Sequence, residues 1–169
     1  VMVALLVPSR MGVDEYQNYL AEIMAEAGLI NADYSDGFWE PVRIIVGSNY
    51  GRAIAAMQLY DVLLVNPLAD GMNLVAKEYV AARKNEDGVL ILGEMAGTAK
   101  ELGEALIINP NDLQGTADAL KKAITMPADE QKRRMVSMRG RLERYDVKRW
   151  AHDFMDRVNQ IKEVQRQLI

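Results

Sequence analysis

Pro67-Leu68-Ala69-Asp70-Gly71-Met72-Asn73-Leu74-Val75-Ala76-Lys77-Glu78 follows an apolar run, Val62-Leu63-Leu64-Val65, and opens a helical pattern. A strand that passes into a helix through a turn holding an acid and a glycine is the place where α/β folds take up ligands. Glycine lets the backbone approach a ligand closely, and the first amides of a helix are donors with no partner inside it. Glu78 adds a second carboxylate eight residues beyond Asp70.

Upstream, residues 1–7 read as a fully buried strand. A helical pattern follows with Val13, Tyr16, Leu20, Ile23, Met24 and Ala27 on one face. Residues 31–41 are polar and aromatic, with Gly37 and a proline, and read as a loop into a second strand at 42–46 and a short helix at 51–60. The third strand, 61–66, delivers the turn quoted above, and its helix, 73–83, stops in the cluster Lys84-Asn85-Glu86-Asp87-Gly88. The alternation then repeats, with strands at 89–92 and 105–108 around a short helix at 98–102. Helices are predicted at 112–124, at 127–144 and from 147 to the end, the last with Trp150, Phe154, Val158, Ile161 and Leu168 on one stripe. Strands separated by helices at this spacing predict an α/β fold: a Rossmann-like parallel sheet with helices on both faces.

A chain of 169 residues, half of them hydrophobic, fits one domain or part of a larger protein. The net charge of −4 gives no electrostatic reason to expect nucleic acid or an anionic membrane as partner. The basic run Lys132-Arg133-Arg134, with Arg139, Arg141 and Arg144, is interrupted by Glu143 and lacks aromatic residues, so it reads as a solvated helix face. With no cysteine and one histidine, disulfides, thiolate metal sites and histidine clusters are excluded, and no metal is expected. The opening apolar run is far short of the roughly 20 residues of a membrane span and lacks the basic front of a signal peptide. A cytoplasmic protein is expected, and a chain beginning on such a run reads as a piece of a longer one. His152 reads as a partly exposed helix residue, the ten methionines as core filler, and Trp39 as the anchor of its loop.

The chemistry that fits the quoted stretch is transfer of a sugar from a nucleotide. That reaction breaks an anomeric C–O bond through an oxocarbenium-like state while negative charge gathers on the departing phosphate. Amides of Gly71, Met72, Asn73 and Leu74 at the positive end of a helix suit that phosphate without a metal ion. Asp70 can accept from sugar hydroxyls, and Glu78 is spaced to accept from both ribose hydroxyls. Alone, Asp70-Gly71 would be an ordinary capped turn and Glu78 a solvated glutamate; only the combined string carries the reading. Lys77 reads as a solvated charge.

The string resembles the signature of the trehalose-6-phosphate synthase family, retaining glycosyltransferases of the two-domain GT-B fold. Further similarity lies in Leu6-Val7-Pro8-Ser9-Arg10 with Val13 and Tyr16, in Glu78-Tyr79-Val80-Ala81, Ala96-Gly97 and Glu101-Leu102, and in Asn109-Pro110 with Asp112. The resemblance implies the C-terminal, donor-binding half of such an enzyme, lacking its first βα unit. Residues 1–145 would form a partial nucleotide-sugar-binding domain. Residues 146–169 would be a terminal helix that packs on this domain or reaches across to an N-terminal, acceptor-binding one.

By the same resemblance Asp70 would contact the donor glucose, the amides from Gly71 through Met72 and Asn73 to Leu74 its hydroxyls and pyrophosphate, with Val75 beside them, and Glu78 the ribose. Tyr50 and Ile54 would lie near the base, and Arg52 is either a phosphate ligand or a solvated helix-start arginine. The resemblance implies UDP-glucose or GDP-glucose as donor and a sugar phosphate as acceptor, most simply glucose 6-phosphate giving trehalose 6-phosphate. No protein nucleophile or catalytic base is implied, and no cofactor. Glucosylglycerol-phosphate synthesis, a pseudo-glycosyltransferase and a non-catalytic regulatory homologue remain open as alternatives, as does a homo-oligomer. The isolated chain is expected to be inactive.

Overall fold

The computed structural model describes residues 1–167, so the predicted Leu168 of the terminal stripe lies outside the described residues. The chain divides into two compact units, Val1–Ala53 and a second beginning at Ile54, with the division inside one helix. All five predicted strands are present, in two parallel sheets.

In the first unit β1 (Met2–Leu6) and β2 (Val42–Val46) pair in parallel, Met2 opposite Val42 and Leu6 opposite Val46. The expected full burial of β1 is corrected to half-burial, since Met2 is exposed and the next four residues are only partly covered. Helix α1 (Asp14–Tyr34) runs further than the periodicity predicts and buries no residue completely. Its extra turns are anchored by Asn31, whose side chain donates to the Val42 carbonyl at 2.8 Å and accepts from the Val42 amide at 3.0 Å. An asparagine that pairs with a strand's backbone reads in sequence as a loop residue. Trp39, expected to anchor its loop, is exposed, as is Phe38 at 100%, and the turn is closed by the Asp36 carboxylate, which accepts both their amides.

α2 (Tyr50–Leu59) crosses the division. In the second unit β3 (Val62–Val65), β4 (Val89–Gly93) and β5 (Leu106–Ile108) form a parallel sheet in that order, Val62 opposite Val89 and Ile91 opposite Leu106. The central strand β4 is buried along its whole length. Because side chains alternate along a strand, Leu90 and Leu92 enter one core and Val89 and Ile91 the other. The first core is closed by α3 (Leu74–Ala82) and α5 (Ala128–Arg144), through Ala76, Tyr79, Val80, Met135 and Met138. The second is closed by α4 (Leu113–Ile124) with Ala123, and by Met126. This is the predicted arrangement of helices on both faces, and it fixes the end of β3 from which the quoted turn departs.

The methionines divide. Met57, Met126, Met135 and Met138 are core residues, whereas Met2, Met11, Met24, Met72, Met95 and Met155 are exposed. Helix α6 (Val147–Gln167) is exposed over residues 147–166 except at half-buried Val158, with the Trp150 and Phe154 rings stacked 5.6 Å apart. His152 on α6 is exposed and lies 3.3 Å from Asp156. Among the described residues no helix is long and apolar enough to cross a membrane.

Candidate functional site

The turn after β3 is built around Asp70. One carboxylate oxygen, Oδ1, accepts from the Met72 amide at 3.1 Å and the Asn73 amide at 2.9 Å, and the other, Oδ2, accepts from Asn73 Nδ2 at 3.0 Å. Hydrogen bonds from the Met72 amide and then the Asn73 side chain favour the ionised form and hold this carboxyl below its usual value. Asn73 caps α3, accepting the Ala76 amide on Oδ1 at 2.9 Å, and does so in the left-handed conformation, φ 65° and ψ 90°. Asparagine is one of the few residues that tolerate this region.

Of the four amides expected to stand open, those of Met72 and Asn73 are therefore occupied by Asp70. A carboxylate at a helix start satisfies the donors that the helix leaves unpaired, and here the candidate ligand contact and the cap are one group. The amides of Gly71, Leu74 and Val75 have no acceptor among the described residues. Glu78 is half-buried on α3, and its carboxylate has no hydrogen-bond or ion-pair partner among the described residues. A half-buried acid left unpaired is free to accept from a ligand.

The structure thus brings Asp70, Gly71, Met72, Asn73, Leu74, Val75 and Glu78 onto one turn and the helix it opens. Ile54 packs against the apolar core between the sheet and α3. Tyr50 and Arg52 belong to the first unit, both exposed, on the first turn of α2, where the Arg52 amide donates to Asn49 Oδ1 at 2.8 Å.

Sequence reasoning missed what supports the turn. After β4 the chain continues beside it: Asp70 and Ala96 form an isolated parallel bridge, with the Asp70 amide donating to the Met95 carbonyl at 3.3 Å and the Gly97 amide to the Asp70 carbonyl at 2.9 Å. A short 3-10 turn, Gly97–Lys100, follows. Fully buried Thr98 donates its amide to the Met72 carbonyl at 3.1 Å and its hydroxyl to the same oxygen, with the Asn73 carbonyl 3.4 Å from the hydroxyl. The approach is so close that a Cβ on Gly97 would land on the Gly71 carbonyl oxygen. Lys77 is not a freely solvated charge, for its ammonium lies 2.8 Å from Glu101 just beyond the 3-10 turn.

At its far end α3 is held by Arg83, only 6% exposed. Its guanidinium donates to the carbonyls of Gln58 at 2.5 Å and Asp87 at 3.2 Å and pairs with the Asp87 carboxylate at 2.5 Å. Arg139 of α5 donates to the Arg83 carbonyl at 2.8 Å. Buried Tyr79, its hydroxyl pushed up to about 12 by desolvation, donates to the Tyr60 carbonyl at 3.2 Å. Among the described residues no group of three or more His, Asp or Glu side chains is placed to hold a metal ion.

Residues 1–160 match the family model described as glycosyltransferase family 20. The chain belongs to glycosyltransferase family 20. It is 46% identical over 156 residues to a bifunctional trehalose-6-phosphate synthase/phosphatase from Thermoproteus tenax, a match that covers 92% of this chain and 21% of that protein. A trehalose-6-phosphate synthase from Mycobacterium avium is 43% identical over 158 residues, covering 92% of this chain and 32% of that protein. Among solved structures, an α,α-trehalose-phosphate synthase (UDP-forming) from Burkholderia xenovorans in complex with glucose-6-phosphate superposes with a TM-score of 0.89 at 37% identity, over 93% of this chain and 35% of that one. A trehalose-6-phosphate enzyme from E. coli bound with UDP-2-fluoro glucose gives 0.89 at 38% identity, over 94% and 36%. The family resemblance carried by the Asp70–Glu78 string is borne out. The chain spans about a fifth to a third of the length of the curated relatives it matches.

Proposed function

We propose that this chain is the donor-binding part of a retaining glucosyltransferase that moves glucose from UDP-glucose or GDP-glucose to glucose 6-phosphate, giving trehalose 6-phosphate. The observation that carries the proposal is the unpaired Glu78 carboxylate on the helix opened by the Asp70 turn, in a chain of family 20. Glu78 accepts from the ribose hydroxyls. The open Leu74 and Val75 amides, at the positive end of α3, take the pyrophosphate and stabilise the charge that grows on it as the glucosyl C1–O bond breaks. Asp70 and its turn take the sugar hydroxyls, which replace the hydrogen bonds that the turn makes to itself. The incoming hydroxyl bonds to C1 on the face the phosphate leaves, and its proton passes to the departing phosphate oxygen. No protein nucleophile, metal ion or cofactor takes part. Acceptor binding is assigned to the part of the protein outside these residues.

The test is a calorimetric titration of UDP-glucose and of GDP-glucose into the chain and into a folded Glu78→Ala variant. One donor should bind, and losing the ribose contact should weaken it about tenfold. Equal affinity in the variant removes Glu78 from the site. A wild-type chain that binds neither donor defeats the proposal for these residues.

A further inference from the structure

We propose that Thr98 is a positioning residue which sets the Asp70–Asn73 turn against the glucosyl group of the donor; this rests on the donor-binding reading above. Thr98 is fully buried and so presents no surface to a ligand. Its amide and hydroxyl both donate to the carbonyl of Met72. A peptide unit is planar, so fixing the Met72 carbonyl also fixes the direction of the Asn73 N–H, which belongs to the same plane. The Asn73 carbonyl, 3.4 Å from the Thr98 hydroxyl, shares its plane with the open Leu74 N–H in the same way.

The turn needs such a restraint. Asn73 sits in a left-handed conformation, which persists where its surroundings impose it. The Asp70 end is already tied to the chain beyond β4 through the Ala96 bridge and the Gly97 amide. Thr98 supplies the matching tie at the Asn73 end, so both ends of the sugar-facing turn are tied to the segment that follows β4, the most completely buried strand of the sheet. Glu78 lies beyond this restraint on a helix held at its far end by Arg83. Loss of the Thr98 hydroxyl should therefore affect the sugar more than the nucleoside.

The experiment compares the wild-type chain with Thr98→Val, which keeps the shape and the amide bond but sets a methyl against the Met72 carbonyl, and with Thr98→Ser, which keeps the hydroxyl. Two quantities are read: amide hydrogen exchange at Asn73 in the unliganded chain by NMR, and the ratio of affinities for nucleoside diphosphate-glucose and the bare nucleoside diphosphate. Thr98→Val should speed exchange at Asn73 and cut the affinity gained from the glucosyl group, each by about tenfold, with the nucleoside diphosphate bound as in wild type. Thr98→Ser should restore both. Unchanged exchange in Thr98→Val overturns the proposal, as does faster exchange with the glucosyl contribution intact, which would make the restraint structural only. A wild-type chain that gains nothing from the glucosyl group refutes the donor reading itself and the positioning role with it.

Discussion

The Lys77 ammonium lies 2.8 Å from the Glu101 carboxylate, joining the helix that carries Glu78 to the segment that carries Thr98. Both side chains keep substantial exposure, 24% and 43%, so solvent and salt screen the pair. Lys77→Met should cost at most about 1 kcal/mol, and the cost should shrink at high salt. Urea unfolding at low and high ionic strength measures both, and a penalty insensitive to salt would show that packing of the lysine stem, not charge, is what was lost.

Arg83 presents the opposite case, a nearly buried guanidinium whose hydrogen bonds fasten α2 and the β4 approach to the end of α3. Replacing it by leucine leaves the Gln58 carbonyl without this donor. Arg83→Leu should lower the unfolding free energy by about 2–4 kcal/mol, and Asp87→Asn by less because Asp87 is half exposed. Denaturant titration of both variants checks the order, which a larger loss for Asp87→Asn would reverse.

Asp70 links the site to pH. Its carboxyl is held below 3.8, so the stability it adds is present above about pH 4 and is lost as pH falls through the lower, folded-state value. Wild type should exceed Asp70→Asn in stability at neutral pH, with the gap closing on acidification. Paired unfolding curves from pH 7 down to about pH 2 read the gap. A gap that stays constant across that range would mean the carboxylate charge contributes nothing to the turn.

Gly97 is constrained by contact instead of by backbone angle. Alanine there would drive its methyl onto the Gly71 carbonyl oxygen and separate the two segments. Gly97→Ala should destabilise by about 1–3 kcal/mol, the range for overfilling a packed site, and should shift the amide resonances of Gly71 through Asn73. A variant as stable as wild type with unmoved resonances would show that the segments are not pressed together.

The β3-turn-α3 unit was legible in sequence because every signal lies within a dozen residues: an apolar run, an acid, a glycine, an asparagine cap and a renewed helical period. The five strands were legible for the same local reason. The division into two sheets was not, since Val42–Val46 and Val62–Val65 carry similar apolar patterns and nothing in either names its neighbour. Glu101 lies 24 residues from Lys77, Met72 26 from Thr98 and Gln58 25 from Arg83, too far for spacing to disclose. Asn31 misled because its side chain completes a strand's hydrogen bonding from within a helix.

Asn73 meets three demands at once: a left-handed backbone, an acceptor for the Ala76 amide and a donor for Asp70 Oδ2. Glycine would satisfy the first alone. Aspartate would satisfy the first two but bring a second negative charge against Asp70, and serine or threonine would cap the helix while straining the backbone. Three tolerances that are each broad intersect at one side chain, so this position should accept almost no substitution even though most of its neighbours on the helix surface can vary. A saturation library at residue 73 would thus give a profile with a single peak, the signature of a site specified by geometry and charge together.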